Sequence, residues 1–251
     1  MIVDADVHLS RTEPLGMDGE ELLRTMDRAG VERALIWLQP PYMRHIGEAN
    51  RAVYEAARRY PDRFLPFGWA DLRLGLEQAE ADMRRCVEEY GMLGVKFNGA
   101  QNEYFVDREE LFPLYAWLAE ARRAIAFHVG ADAYEYTHPY RVAKVARRFP
   151  GMPVLVAHMG GAGAPDLSAA TIEFAGECPN MLLIGSNVGY PKVRRAIETL
   201  GAARVCFGSD TPFQYMHVER AAYEALLADL PREQREAVMG GNILAALTGQ
   251  R

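Results

Sequence analysis

The chain has 251 residues, of which 49% are hydrophobic and 25% are charged, as is usual for a globular enzyme. This length fits either two ordinary domains or one large α/β barrel. The net charge of −6 argues against a nucleic-acid-binding protein, which needs a basic stripe, but it does not exclude an anionic small substrate.

The cysteines and the apolar runs restrict the location and the partners. Cys86, Cys178 and Cys206 are scattered and form no CxxC pair, so neither a disulfide framework nor a thiolate zinc site is indicated. This usage predicts a reducing cytoplasm. The N-terminus shows no signal-peptide pattern, and no apolar run approaches the roughly 18 residues of a membrane span. We therefore expect a small-molecule substrate, no nucleic acid and no membrane.

Short apolar runs alternate with amphipathic stretches along the whole chain. The predicted strands lie at about 2–7, 31–38, 64–70, 93–97, 124–129, 153–158, 181–186 and 204–209. The predicted helices lie at about 18–29, 47–60, 75–90, 108–122, 139–149, 165–177 and 191–200, with further helices from near 216 to 247. The strands are continuous apolar runs, which are typical of a parallel sheet buried on both faces.

The order of these elements predicts the fold. Eight strands, each followed by a helix and with no Pro- or Ser-rich linker between them, predict one α/β domain over residues 1–251. We expect a single (β/α)8 TIM barrel with a C-terminal helical extension. An open doubly wound sheet is the alternative, and it is less favoured because no Gly-rich dinucleotide loop follows the first strand.

Polar residues end several of these apolar strands. Asp6 and His8 end the first strand, His128 the fifth and His158 the sixth, and Asp210 follows the eighth. In a barrel these strand ends converge on one mouth, where active sites lie. A single histidine at a strand end is more often structural, but five such groups at one end are hard to attribute to chance. Imidazole and carboxylate groups together suit zinc, manganese or iron.

Five motifs carry a resemblance to a known family. They are DADVHL, AFHVG, RRFPGMPVLVAHMGG, FGSDTPF and GGNILAALTG, and they cover nearly the whole chain. The chain resembles the amidohydrolase superfamily, in the branch that includes amino-carboxymuconate-semialdehyde decarboxylase and related metal-dependent hydrolases. The first motif of that branch is often His-x-His, and Asp6 replaces its first histidine here.

The resemblance implies a set of residue roles. Asp6, His8, His128 and Asp210 would bind one divalent metal ion, for which zinc is the first expectation and manganese the alternative. His158 and Asp210 would be the catalytic groups. The implied activity is hydrolysis of an amide, ester or lactone of a small, carboxylated substrate by metal-activated water. Non-oxidative decarboxylation at the same site is the alternative, and an inactive barrel that binds a small ligand is a third. Relatives are commonly dimers, so a homodimer is also expected.

Four residues in the predicted loops and strand ends are weaker substrate candidates. Lys96 ends the fourth strand, and it would contact a substrate carboxylate, pair with Asp6, or remain a plain strand-end charge. Arg44 lies in the loop after the second strand, Tyr136 after the fifth and Asn187 after the seventh. Cationic and aromatic groups at one mouth suit a small carboxylated substrate.

Overall fold

A computed structural model describes residues 1–10, 16–39, 46–130 and 133–249. The strands are β1 (Val3–Leu9), β2 (Arg33–Leu38), β3 (Phe64–Pro66), β4 (Gly68–Ala70), β5 (Gly94–Phe97), β6 (Ala124–His128), β7 (Val154–Ala157), β8 (Met181–Ile184) and β9 (Val205–Cys206). The α-helices are α1 (Gly19–Ala29), α2 (Ile46–Arg59), α3 (Leu76–Arg84), α4 (Gly99–Asn102), α5 (Phe112–Glu120), α6 (Pro139–Arg148), α7 (Ser168–Glu177), α8 (Tyr190–Leu200), α9 (Met216–Leu226), α10 (Arg232–Glu236) and α11 (Asn242–Thr248).

All neighbouring strands pair in parallel, in the orders β1-β2-β3 and β4-β5-β6-β7-β8-β9. The two groups join where the Phe67 amide donates to the Ile36 carbonyl at 2.9 Å. At the other seam the Ala5 amide donates to the Phe207 carbonyl at 3.0 Å, and Val7 forms a parallel bridge with Thr211. The sheet therefore closes on itself, which confirms the predicted TIM barrel over the open alternative.

Alternate residues of the strands fill the barrel interior. One core cluster contains the inward residues of β6 to β8, namely Ala124, Ala126, Leu155, Ala157, Leu182 and Ile184. The residues between them belong to the larger cluster that packs against the helices. This two-residue period follows from the pleat of a strand, and it determines which side chains reach the mouth.

Three predicted elements differ from the structure. The predicted strand at 64–70 is split at Phe67 into β3 and β4, where the amide of Phe67 pairs with β2. The loop predicted after 97 contains the short helix α4, which Asn98 caps by accepting from the Gln101 amide. The helix predicted from 165 begins only at Ser168. Among the described residues, no helix is both long enough and apolar enough to cross a membrane.

We expect Asn180→Ala to lower the free energy of unfolding by about 2–3 kcal/mol, because it strips buried carbonyls of their donor. The Asn180 side-chain amide lies within 3.1 Å of three carbonyls, those of Ala146, Phe149 and Met152, and thereby ties the start of β8 to the end of α6. Urea unfolding measures the loss. A decrease below about 0.5 kcal/mol, the usual range of surface substitutions, would contradict this role.

Candidate active site

The inward period of the strands places several polar side chains at the barrel mouth. In β6, His128 continues the inward series of Ala124 and Ala126. Ser186, just after β8, continues the inward series of Leu182 and Ile184. All of these side chains are buried. The same alternation that builds the apolar core therefore ends in imidazole and hydroxyl groups at the C-terminal ends of the strands.

The first strand reaches the site through an irregularity in its pairing. The register of β1 against β2 shifts between Asp4 and Val7, as in a β-bulge. The Asp4 carboxylate holds this segment, because its Oδ1 accepts from the Asp6 amide at 3.1 Å and from the Ser209 amide at 2.9 Å. Asp4 therefore fixes the backbone next to both Asp6 and Asp210.

Asp6, His8 and Asp210 converge at this seam. Each offers a ligand atom that lies within 4.8 Å of the other two, and all three residues are buried. His8 Nε2 lies 3.4 Å from Asp6 Oδ1 and 3.4 Å from Asp210 Oδ1. The structure thus brings together three of the four residues that the sequence predicts as metal ligands.

The orientation of His8 is set by its other ring nitrogen. Nδ1 lies 2.8 Å from the Leu38 carbonyl, which can only accept, so Nδ1 carries a proton and Nε2 is the nitrogen that faces the two carboxylates. In the neutral ring, Nε2 has the lone pair that a cation would use. A backbone carbonyl behind the ring is the usual arrangement of a metal-binding histidine. The Trp37 indole N–H donates to the same Nε2 at 3.1 Å, so it would compete with a cation for this lone pair.

Lys96 lies inside the barrel with no exposed surface. Its Nζ is 3.9 Å from Asp6 Oδ1 and 3.6 Å from the centre of the Trp37 ring. Burial lowers the pKa of Lys96 to about 8, although Asp6 and Asp210 raise it. The sequence left three roles open for Lys96. Its position beside Asp6 is consistent with the second of them, an ion pair with Asp6.

Charges within the site set the protonation of its other members. Burial raises the pKa of Asp6, but Lys96 and His8 outweigh it and hold that pKa well below its ordinary value. Burial and Lys96 lower the pKa of His8, yet Asp210 and Asp6 raise it overall. Asp6 is therefore a carboxylate in the metal-free protein.

His128 and His158 form a second pair, with ring centres 4.6 Å apart. Burial, together with His158 and Lys96, lowers the pKa of His128 well below its ordinary value, so its imidazole is neutral. His128 does not belong to the group of three ligand atoms within 4.8 Å, and its role as a ligand stays a prediction. His158 Nδ1 lies 3.2 Å from the Ser186 carbonyl and 3.1 Å from the Ser186 hydroxyl.

The backbone around the site adopts a left-handed conformation at several non-glycine residues. His158, Met159, Asn187 and Asp210 have φ values of 62, 36, 52 and 60°. Such residues cost free energy and cluster at functional sites. Gly208 permits the close packing here, because a Cβ on it would lie 2.6 Å from Ile184 Cγ2 and 3.1 Å from Asp6 Cβ.

Of the remaining substrate candidates, two lie on described segments and one lies outside the described residues. Tyr136 is half-buried and packs on Phe105, with ring centres 4.9 Å apart. Asn187 is exposed and accepts a hydrogen bond from the Gln214 side chain at 3.4 Å. Arg44 lies outside the described residues, so the prediction about it is not addressed. Phe213 is 37% exposed and packs edge-on against His8, with ring centres 5.5 Å apart.

Sequence reasoning missed three contributors to this site. Ser186 and Trp37 contact its members directly but are not residue types that mark a metal site. Asp4 is of such a type, but it supports the site through the backbone amide of Asp6. The one available signal was the period of two, which places Asp4 and Ser186 in line with the strand-end residues.

The family model described as amidohydrolase matches residues 3–248. The chain belongs to the amidohydrolase family. Among curated relatives, the chain is 31% identical over 145 residues to a γ-resorcylate decarboxylase from Rhodococcus jostii (strain RHA1), covering 53% of this chain and 44% of the relative. It is 22% identical over 236 residues to a 2-amino-3-carboxymuconate-6-semialdehyde decarboxylase from Dictyostelium discoideum, covering 79% of this chain and 65% of the relative.

The chain spans less than two thirds of the length of these relatives. Among solved structures, it is similar to 5-carboxyvanillate decarboxylase from Sphingomonas paucimobilis, with a TM-score of 0.79, 17% identity and 98% of each chain covered. It is also similar to a 5-carboxyvanillate decarboxylase from Novosphingobium aromaticivorans solved with bound manganese, with a TM-score of 0.80, 16% identity and coverage of 99% and 97%. At such identities the likeness shows the fold alone.

Proposed function

We propose that this protein is a metal-dependent, non-oxidative decarboxylase of a small aromatic or unsaturated carboxylic acid. The observation that carries the proposal is the buried convergence of Asp6, His8 and Asp210 at the barrel mouth. The curated relatives named above are decarboxylases, so they favour the decarboxylase alternative over the hydrolysis that was the first expectation.

The residues present fit a divalent cation. Asp6 Oδ1 is buried and has no hydrogen-bond partner among the described residues, although it lies 3.4 Å from His8 Nε2. A buried carboxylate oxygen without a donor is costly unless a cation satisfies it. We propose that Asp6, His8 and Asp210 hold the ion, with His128 as the predicted fourth ligand. Two carboxylates favour manganese at least as well as zinc.

The reaction requires one proton at a defined carbon atom. When a carboxylate on carbon is replaced by hydrogen, a C–H bond forms, the C–C bond breaks, its electron pair returns to the π system, and CO₂ leaves. We propose that Asp210 delivers this proton, because it lies at the mouth and is only slightly exposed. When bound, the cation would hold the anionic oxygens of the substrate and neutralise their charge.

The other residues orient and enclose the substrate. Phe213 offers an aromatic edge beside His8 at the mouth, where a planar ring could pack against it. His158 lies beside His128, and we propose that it holds a substrate oxygen. The burial of Asp6, His8 and Lys96 keeps water away from these charges and strengthens their interactions.

A panel assay tests the proposed function. Metal-free protein is loaded with Mn²⁺ or Zn²⁺ and incubated with aromatic and unsaturated carboxylic acids, and CO₂ release is measured. We expect release with at least one acid, and only with metal present. Cleavage of lactones or amides without CO₂ would instead support the hydrolase. A protein that takes up neither ion and turns over no compound would support the inactive barrel.

A further inference from the structure

We propose that Ser186 is a positioning residue. Its hydroxyl binds one carboxylate oxygen of Asp6, so that only the other oxygen is available to a cation, and it links Asp6 to His158. The inference rests on the cation site of the proposed function. Ser186 follows β8, has no exposed surface, and lies between the two groups. Its Oγ is 2.5 Å from Asp6 Oδ2 and 3.1 Å from His158 Nδ1.

The Ser186 hydroxyl has one proton, and the neighbouring carbonyl determines where that proton goes. His158 Nδ1 lies 3.2 Å from the carbonyl of Ser186, which can only accept, so Nδ1 must carry a proton. The same N–H can then donate to Ser186 Oγ. The hydroxyl proton is thereby left for Asp6 Oδ2, and the donors run in one direction from His158 through Ser186 to Asp6.

This direction of hydrogen bonding gives the two carboxylate oxygens of Asp6 different partners. Oδ2 accepts from Ser186, whereas Oδ1 has no hydrogen-bond partner among the described residues and faces His8 Nε2 at 3.4 Å. Asp6 therefore presents one oxygen to the site. Ser186 thereby leaves Asp6 Oδ1 as the one carboxylate oxygen that is available to a cation.

The packing around Ser186 agrees with a positioning role. The Cβ atoms of Asp6 and Ser186 lie only 3.1 and 3.2 Å from the place where a Gly208 Cβ would be, so both side chains converge on the space that this glycine leaves. The Ser186 hydroxyl is the short contact of Oδ2, whose other neighbour, His158 Nδ1, is 3.7 Å away, so removing the hydroxyl loosens the rotation of the Asp6 carboxylate. Partners behind metal ligands typically change metal affinity or activity by about 10- to 100-fold when they are lost.

Mn²⁺ binding to metal-free protein tests the proposal. We expect Ser186→Ala to weaken Mn²⁺ affinity by about 10-fold or more. Ser186→Thr, which keeps the hydroxyl, is expected to bind more tightly than Ser186→Ala. Ser186→Cys fills nearly the same volume but donates weakly, so we expect it to resemble Ser186→Ala. If Ser186→Cys binds like the wild type while Ser186→Ala does not, the role of Ser186 is packing and the proposal is wrong.

A matched control removes the serine hydroxyl next to a different aspartate. Ser168 lies at the start of α7, and its hydroxyl donates a hydrogen bond to the carboxylate of Asp166. Ser168→Ala is expected to leave Mn²⁺ affinity unchanged. An equal loss in both variants would mean that the effect is not specific to Asp6, and it would overturn the proposal.

The wild-type protein provides a second test that needs neither metal nor turnover. Long-range ¹H–¹⁵N correlation spectra of metal-free protein, recorded where His158 is neutral, report which ring nitrogen bears the proton. We expect the Nδ1–H form. An Nε2–H form would make Nδ1 the acceptor of the Ser186 proton and overturn the proposal, whereas absence of CO₂ release would affect only the proposed function.

Discussion

Asp210→Asn is expected to reduce the rate of CO₂ release by about a hundred- to ten-thousandfold, because the amide cannot carry the proton that the reaction consumes. The fold is expected to remain. The Asp210 amide donates to the Asp6 carbonyl at 2.9 Å, and this backbone contact does not depend on the side chain. Asparagine also tolerates the left-handed φ of 60° at this position. Steady-state kinetics and thermal unfolding measure the two effects.

The control for Asp210→Asn is the same substitution at Asp166. Asp166 pairs with Lys192 at 2.8 Å in the segment before α7, and both side chains are partly exposed. Asp166→Asn is expected to retain wild-type turnover. Metal content is measured in both variants, since Asp210 is also a proposed ligand. Near-normal CO₂ release by Asp210→Asn with bound metal would refute its role in proton delivery.

Asp6→Ala is expected to lower the free energy of unfolding of the metal-free protein by about 3–5 kcal/mol, because it leaves a buried charge unpaired. The Lys96 Nζ is fully buried, has no hydrogen-bond partner among the described residues, and lies 3.9 Å from Asp6 Oδ1. Its other neighbours include the rings of Trp37 and Trp69, with centres at 3.6 and 5.3 Å, and the charge of Asp210 also favours its protonated form. They offset only part of the cost of burying an ammonium group.

A double-mutant cycle tests this pairing. Lys96→Met removes the charge but keeps an unbranched apolar side chain, so Asp6→Ala combined with Lys96→Met is expected to be more stable than Asp6→Ala alone. Urea unfolding of the four proteins gives the coupling free energy. Asp107→Ala serves as the comparison, because its partners Arg141 and Lys144 are about one third exposed and the loss is expected to be smaller. A double variant no more stable than Asp6→Ala would refute the pairing.

The strand order and the main site residues could be read from the sequence because the strands are continuous apolar runs and several of these runs end in a polar residue. Asp6, His8 and Asp210 were predicted to converge, and the structure places them together. This prediction needed only the rule that parallel strands in a barrel end at one mouth. The bulge in β1 was not predictable, because a pattern of alternating residues carries no sign of a register shift.

The side-chain contacts that support the site residues could not be predicted from the sequence, for a different reason. Ser186 lies 180 positions from Asp6, and a serine at a strand end is chemically unremarkable until its neighbour is known. Lys96 illustrates the same limit, since its three roles stayed open until the 3.9 Å distance to Asp6 was available. Long-range side-chain contacts depend on rotamers and register, which no local pattern encodes.

The seam between β1 and the segment after β9 determines when the site can form during synthesis. Asp4 Oδ1 joins the Asp6 and Ser209 amides, and the His8 amide donates to the Thr211 carbonyl at 2.8 Å. These contacts connect the first ten residues to residues beyond position 208. The three proposed ligands can therefore come together only after the last strand has left the ribosome, so the site is among the last parts of the barrel to form.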